Sequence, residues 1–387
     1  MSTAVKDSRL MNTYPPPPVT FVRGQGSRLW DSEGREYLDF VGGVAVCSLG
    51  HSHPAVADAL ADQARTLLHV SNLYGTTVGP EVASTLDRLV GGGGRVFFAN
   101  SGAEANECAF KLARKWAGAP ARFVVVSAER SFHGRTLATL AATGQFHRHP
   151  PFQPLPAGFR HVPYGSLEAL AEAVAAPDVA AVVLETVQGE GGVWPAPAGY
   201  LAGARRLCDE VGALLIVDEV QTGLGRTGRW FGFQHEGVRP DVVTLAKALG
   251  NGVPIGACWA SDDVAAAFGP GDHATTLGGQ PLAAAAARAV LGVMEAEDVP
   301  ARAAAAGTRL MDALAGLPGI AEVRGQGLLV GAELDGRSAP EVAAAALAAG
   351  LLVNPVRPTT LRFMPSLLVT DDELDEAVAV LASVLAA

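Results

Sequence analysis

From about Ala55 to Ala260 the chain alternates between short, almost wholly apolar runs and longer stretches in which apolar residues recur at helical spacing. The short runs are "RVFFA", "RFVVVS", "AAVVLET", "ALLIVD", "VVTLA" and "GACWA". Runs of this length, rich in β-branched residues, read as strands buried on both faces. With helical stretches between them they predict βαβ crossovers and a mostly parallel central sheet covered by helices, an α/β fold. Ahead of it lies an irregular entry. The run Pro15 to Pro18 is extended, and "RLWDSEGREYLDF" alternates like a hairpin turning near Glu33-Gly34. Beyond Pro281 come the alanine-rich stretches "LAAAAARAVLGVM" and "EVAAAALAAG". Alanine's helix propensity and the neighbouring leucines favour packed helices there over disorder. With "GLLVGAEL" and "LRFMPSLLVT" they predict a smaller α+β domain that ends on a helix from Asp371. The expected organisation is an N-terminal segment 1–54 that is part of the small domain, a large domain 55–281, and a C-terminal small domain 282–387.

Bulk composition narrows the function. A chain of 387 residues that is 49% apolar can bury a sizeable core, and a net charge of −10 speaks against nucleic acid or an anionic membrane surface as partner. No apolar run approaches the roughly 20 residues of a membrane helix, and "MSTAVKDSRLMNTYPPPP" has no apolar core of a secretory signal. Cys47, Cys108, Cys208 and Cys258 lie far apart with no C-x-x-C pair, which fits free thiols in the cytoplasm. The histidine pairs His51/His53 and His147/His149 have no cysteine or carboxylate cluster beside them, so no metal is expected.

Ligands of parallel sheets bind at the carboxyl ends of the strands, which directs attention to the residues just past each run. "ALLIVDEVQTGLGRTG" puts Asp218 and Glu219 at such an end. A carboxylate there loses hydration and needs a cation or a proton. The same stretch holds G-x-G-x-x-G at Gly223, Gly225 and Gly228, but the "RWFGFQHEG" that follows lacks helical period. A loop fits better than a dinucleotide site. In "FFANSGAEANE" a strand gives way to a helix capped by Ser101, with Glu104 at capping-box spacing. The free N–H groups then fall at Gly102 and Ala103, whose small side chains let an anion approach; an ordinary capped helix is the alternative. In "DVVTLAKALGNG", Lys247 ends another apolar strand about thirty residues after Asp218, the length of one βαβ unit. Among apolar neighbours it would be desolvated, as Schiff-base chemistry requires, unless it snorkels to solvent. A lysine, a buried carboxylate and a phosphate-ready helix terminus are the requirements of pyridoxal phosphate, whose protonated ring nitrogen would be the cation Asp218 needs.

These stretches, together with "LMNTYPPPPVTFVRGQGSRLWDSEGREYLDFVGGVAVCSLGHSHP", "HVSNLY", "SFHGRT", "VQGEGGV", "HATTLGGQPLA" and "LRFMPSLLV", cover nearly the whole chain. Through them the sequence resembles the class III pyridoxal-phosphate-dependent aminotransferases, which have the fold-type I architecture. "HVSNLY" and the compact length lean towards the acetylornithine branch. The resemblance implies a homodimer with shared active sites that transfers the δ-amine of N-acetylornithine to 2-oxoglutarate. The products would be N-acetylglutamate 5-semialdehyde and glutamate, in arginine biosynthesis. The same chemistry on ornithine, succinyldiaminopimelate, 4-aminobutyrate or a carrier-bound lysine is the alternative.

The roles it implies fall on matching positions. Gly102 and Ala103 would hold the cofactor phosphate, and Phe132 and Val220 the two ring faces. Asp218, followed by Glu219 in the same cofactor-binding run, would pair with the ring nitrogen, and Gln221 would contact the phenolic oxygen. Lys247 would be the Schiff-base lysine and the acid–base. Thr276 would reach the phosphate of the neighbouring subunit's cofactor, and Thr275 would lie beside the substrate. Arg135 would bind one substrate carboxylate and Arg362 a second, with Glu190 as counter-ion of Arg362. Three positions depart from the family pattern: Thr186 for proline, Gln280 for asparagine, and Cys47 for asparagine near the expected substrate mouth. A cofactor-binding regulator would normally append a DNA-binding domain, for which about 50 residues ahead of the first motif and an acidic chain leave no case. The pair Arg135 and Arg362 argues against a decarboxylase or mutase on the same scaffold.

Overall fold

The computed structural model describes residues 9–387; the first eight residues of the expected segment 1–54, and of the stretch read for a signal, lie outside the described residues. The six apolar runs between Ala55 and Ala260 each form a strand, and with a seventh, Phe159–Val162, which was not singled out above, they make one seven-stranded sheet. Its order is Gly94–Ala99, Gly256–Ser261, Val242–Leu245, Leu214–Asp218, Val179–Glu185, Val124–Ala128, Phe159–Val162. All neighbours are parallel except around Gly256–Ser261, which runs antiparallel to both of its partners. The sheet is therefore mostly parallel, as the alternation predicted.

Both faces are covered, because successive side chains on a strand point to opposite sides. Leu214 and Ile216, with Ala181, Val183 and Val242, pack beneath Phe110 and Leu112 of the helix Gly102–Trp116. Leu215 and Val217, with Val182, Leu184 and Val243, join the larger core that includes Tyr200, Leu201 and Ala204 of the helix Tyr200–Val211. Burying each valine or leucine in this way is worth roughly 1.5–3 kcal/mol. A strand with no solvated face has no room for polar residues until it ends, which is why chemistry collects at the tips.

The hairpin turns where expected. Asp31 Oδ1 accepts from Glu33 N–H and Arg35 N–H at 2.9 Å each. Its second strand, Glu36–Asp39, pairs in parallel with Leu351–Leu352 from the C-terminal part. Four further strands, Ile320–Gln326, Leu329–Leu334, Asn354–Pro355 and Thr360–Phe363, form an antiparallel sheet that places Arg362 opposite both Gly331 and Asn354. The two alanine-rich runs fall in the helices Pro281–Ala296 and Ala339–Ala348, with a further helix, Val299–Ala315, between them. The first packs on the helices Pro54–Thr66 and Val78–Val90, so it lies on the large layer. The last helix, Asp371–Ala386, starts with a capping box between Thr370 and Glu373. No helix among the described residues is long and apolar enough to cross a membrane.

Candidate active site

Register builds the site. Glu185, Asp218 and Thr244 sit opposite one another on three adjacent parallel strands, so three polar residues finish at one sheet edge. Lys247 follows three residues later at the start of a short 3-10 turn, with φ at 43° in the left-handed region. A cavity of about 420 Å³ opens here, lined by nine residues that the sequence singled out: Gly102, Ala103, Phe132, Arg135, Glu190, Asp218, Val220, Gln221 and Lys247.

Asp218 is buried and fully engaged. Its Oδ2 accepts from Asn106 Nδ2 at 2.8 Å and lies 2.8 Å from His133 Nδ1, while Oδ1 accepts from Val220 N–H at 3.0 Å. Asn106 is in turn held by Thr244 Oγ1, which donates to its Oδ1 at 2.8 Å, and His133 Nε2 lies 3.2 Å from Ser127 Oγ. This network orients the carboxylate and leaves it little freedom to turn. Sequence reading missed Asn106, His133 and Glu185. Asn106 follows Ala103 by three residues on the same helix face, and His133 is the neighbour of Phe132, so both signals were present.

The helix Gly102–Trp116 begins as the capping residues predicted, with one difference. Ser101 Oγ accepts from Glu104 N–H at 3.2 Å, but Glu104 reaches back past the cap to Asn100, taking its N–H at 2.8 Å and its side-chain amide at 2.7 Å. Among the described residues the N–H groups of Gly102 and Ala103 have no acceptor. A Cβ on Gly102 would stand 2.7 Å from Val220 Cγ1, so glycine lets Val220 close over the terminus. Gly102→Ala should therefore weaken binding of pyridoxal phosphate by about tenfold, since the added carbon displaces either the ligand or Val220. Titration of the apoprotein followed by cofactor absorbance measures this, and unchanged affinity would remove the phosphate from this terminus.

Among the described residues Lys247 meets no hydrogen-bond acceptor, and burial is the main cause that lowers its pKa from 10.5 to about 8; nearby Arg362 adds to this while Glu190 and Asp218 oppose it. The side chain is enclosed by protein yet faces the cavity. Burial, with Asp218 second, pushes the Glu185 carboxyl well above the usual range, and its Oε2 accepts from Phe132 N–H at 3.3 Å. Arg135 lies beside Phe132, its guanidinium carbon 5.5 Å from the ring centre.

At the far side Arg362, which is 2% exposed, pairs with Glu190 at 2.7 Å. It also donates from Nε and Nη2 to Asn354 Oδ1 and from Nη1 to Gln221 Oε1. Burial raises Glu190, but Arg362 and Lys247 outweigh it and the carboxyl ends below its ordinary value. Gln221 Nε2 lies near Glu190 without meeting an acceptor in hydrogen-bond geometry, and so remains a buried donor facing the cavity.

The remaining expected residues lie around the cavity or away from it. Glu219 points away from the cavity, as the next residue on a strand must: its carboxylate takes Thr222 Oγ1 at 2.5 Å and Phe233 N–H at 2.9 Å, and burial raises it to about 7. Thr275 and Thr276 do not line the cavity of their own chain; Thr275 Oγ1 accepts from Asn100 Nδ2 and Gly278 N–H. Cys47 borders a separate groove with His51, and Val46 takes the place at the cavity wall. Gln280 accepts from Val70 N–H and donates to Asn72, which ties down the "HVSNLY" segment. Thr186 Oγ1 is buried without a partner. The glycine loop after Asp218 carries Arg226, which sequence reading passed over. It is fully buried and donates to Leu328 O at 3.0 Å and Pro365 O at 2.7 Å, pinning this loop to the C-terminal sheet. His51 pairs with Asp39 at 2.7 Å and His149 with Thr143 O at 2.9 Å. Among the described residues no three histidine, cysteine or acidic side chains converge as a metal site would require.

Comparison with known proteins matches residues 10–385 to the aminotransferase class-III family. The acetylornithine aminotransferase of Corynebacterium efficiens is 49% identical, over 97% of this chain and 95% of that protein. That of Myxococcus xanthus is 51% identical, over 95% and 93%. Among solved structures, the N-acetylornithine aminotransferase of Stenotrophomonas maltophilia superposes with a TM-score of 0.84 at 40% identity, covering 96% of each chain. The ornithine aminotransferase of Toxoplasma gondii, described with pyridoxal phosphate partially occupying its active site, superposes with a TM-score of 0.93 at 38% identity, covering 98% of this chain and 92% of that one.

Proposed function

We propose, from the premise that this chain belongs to the class III aminotransferases, that it moves the δ-amine of N-acetylornithine to 2-oxoglutarate, giving N-acetylglutamate 5-semialdehyde and glutamate, in arginine biosynthesis. Class III aminotransferases are pyridoxal-phosphate enzymes, so pyridoxal phosphate is the cofactor. The residues present fit it. Two unpartnered N–H groups at a helix terminus suit its phosphate, Asp218 its ring nitrogen, the free Gln221 donor its phenolic oxygen, Phe132 and Val220 its faces, and Lys247 its aldehyde. When bound, the cofactor accepts the amino group and spreads over its ring the electron pair left by deprotonation.

The chain's own residues do the rest. Asp218, held by Asn106, His133 and Val220 N–H, keeps the ring nitrogen protonated. Lys247 Nζ takes the proton from the substrate carbon that bears the amine, for which a neutral amine near pH 8 is well matched. Covalent loading of cofactor onto the apoprotein should accordingly speed up about tenfold per pH unit and level off near pH 8, because only the neutral amine attacks. Borohydride trapping and intact-mass measurement follow it, and a plateau delayed to about pH 10 would mean that Lys247 is not desolvated.

The donor is chosen by the ion pair of Glu190 with Arg362, and this single observation carries the assignment. With Arg362 paired to Glu190, Arg135, the one arginine among the described residues that lines the cavity, remains for a carboxylate. An amine far from its only carboxylate, as in N-acetylornithine, suits that arrangement. Glutamate brings a carboxylate next to its amine as well and needs Arg362 set free, with Glu190 swung aside. Arg362→Ala should then slow the glutamate and 2-oxoglutarate half-reaction about tenfold more than the acetylornithine half-reaction, the loss of one charge-assisted contact. Glu190→Ala should shift preference towards α-amino acids, since the neutral acceptors on Asn354 and Gln221 still hold Arg362 in place. Single-turnover absorbance changes in each half-reaction test this, and equal losses in both would reject the switch.

The reading carries a homodimer in the cytoplasm with it. Thr276 stands outside its own chain's cavity, as a residue serving a neighbouring subunit would, and the four cysteines are free.

A further inference from the structure

Glu190 rides on a hairpin whose two short strands, Val187–Gln188 and Trp194–Pro195, pair across the turn 189–193. That turn reads "GEGGV", so it has almost no side chains of its own to stiffen it. Its last residue, Val193, has φ at 57°, in the left-handed region where a β-branched side chain crowds its own backbone. Such a conformation persists only where the surroundings impose it.

The C-terminal sheet imposes it. Register aligns Arg324, Gly331 and Arg362 across three neighbouring strands, so all three face the same way. Val193 is fully buried on the middle position, where a Cβ on Gly331 would stand 2.9 Å from the Val193 Cβ. The hairpin therefore lies across this row with an arginine at each end. At one end Arg362 holds Glu190 at 2.7 Å. At the other, Arg324 Nε donates to Gly192 O at 3.0 Å, the carbonyl directly before Val193, and its guanidinium carbon is 3.9 Å from the centre of the Trp194 ring. Arg324 is itself buried and fixed. Its Nη2 donates to Glu333 Oε2 at 2.8 Å and to Thr360 Oγ1 at 3.3 Å, and its Nη1 to Glu322 Oε2 at 3.1 Å. A planar fork spread over a carbonyl, a ring and two carboxylates cannot shift without breaking several contacts at once.

We infer that Arg324 is a positioning residue for the choice between substrates: it fixes the turn 189–193 on the C-terminal sheet so that Glu190 rests on Arg362. Without it Val193 relaxes to an extended conformation, the turn shifts, and Glu190 leaves Arg362 free for a carboxylate next to the reacting amine. The inference rests on the Glu190–Arg362 switch proposed above, and adds where the resting position of that switch is set. The ratio of the glutamate to the acetylornithine half-reaction rate reads it, from single-turnover absorbance of the cofactor-loaded enzyme.

Arg324→Gln should raise this ratio about tenfold, in the same direction as Glu190→Ala, the worth of one charge-assisted contact. Trp194→Leu, at a position 37% exposed and so safer for the fold, should raise it about threefold through loss of the stacked ring. In a Glu190→Ala background neither substitution should move the ratio by more than about twofold, because the group they position is gone. A ratio unchanged by both substitutions, equal losses in the two half-reactions, or a shift that persists without Glu190 would each overturn the role. If Glu190→Ala leaves the ratio as it was, the switch fails and the role of Arg324 falls with it. If Glu190→Ala moves the ratio and neither other substitution does, the role of Arg324 alone fails. If N-acetylornithine is no donor, the ratio is taken with a terminal amine that is, and a shift that depends on Arg324, Trp194 and Glu190 upholds the role while the donor assignment fails.

Discussion

Lys247→Ala should fold, take up pyridoxal phosphate without bonding to it, and turn over no substrate. The phosphate and ring contacts proposed above do not involve Nζ, so affinity falls without vanishing. Borohydride should fix cofactor to the unaltered chain and not to the variant, as intact mass will show. A variant that is still labelled would move the covalent role to another lysine. Stability supplies a second readout. Burial holds Lys247 at about 8 in the fold against an ordinary 10.5. Below pH 8 the charged amine therefore costs the fold a few kcal/mol, at about 1.4 kcal/mol per unit. That cost shrinks as pH rises from 8 to 10.5, the window in which the unfolded chain still binds the proton and the folded one does not. Alanine removes the cost, and the space it leaves joins an existing cavity. The cofactor-free variant should thus melt above the unaltered apoprotein at pH 7, with the gap narrowing towards pH 10. An equal or lower melting temperature at pH 7 would contradict the desolvation of this lysine.

Asp218→Asn should keep the fold and bind cofactor, yet lose turnover by at least about a hundredfold, the scale seen when a buried electrostatic contact to the reacting system is removed. An amide carries no charge to keep a proton on the ring nitrogen. It also fits its neighbours poorly. Asp218 accepts from Val220 N–H on one oxygen and from Asn106 on the other, so an asparagine must turn an N–H towards one of these donors. His133 can adapt by changing tautomer; Val220 and Asn106 cannot. Leaving one buried donor unmet costs roughly 1–3 kcal/mol, which predicts a lower melting temperature together with the catalytic loss. Steady-state rates and thermal melts of the cofactor-loaded variant check both. Near-normal turnover would take the ring nitrogen away from Asp218.

The local part of this protein was legible in the chain. "ALLIVD", "AAVVLET" and "VVTLA" read as buried strands, because short β-branched runs with almost no polar position before their ends belong in the interior. Ser101 with Glu104 marks a helix start because a side-chain oxygen is needed for the first N–H groups, and the hairpin turns at Gly34 because Asp31 caps it. From these alone Asp218 and Lys247 fall at strand ends on one side of a sheet, and the bulk of the cofactor chemistry follows.

Tertiary structure decided what lies between distant residues. Register across three strands, set by backbone ladders, aligned Glu185, Asp218 and Thr244. It brought Asn106 and His133 to Asp218 from elements more than eighty residues away. It turned Glu219 into the interior beside Phe233, put Val46 in place of Cys47 at the cavity wall, and gave Arg226 to the C-terminal sheet. It also set Gly256–Ser261 antiparallel among parallel neighbours. Propensity, capping and burial of a run are energies of a residue with its near neighbours, so the sequence states them. A hydrogen bond or an ion pair across the fold depends on where the backbone carries each partner, and no pattern within either segment encodes that.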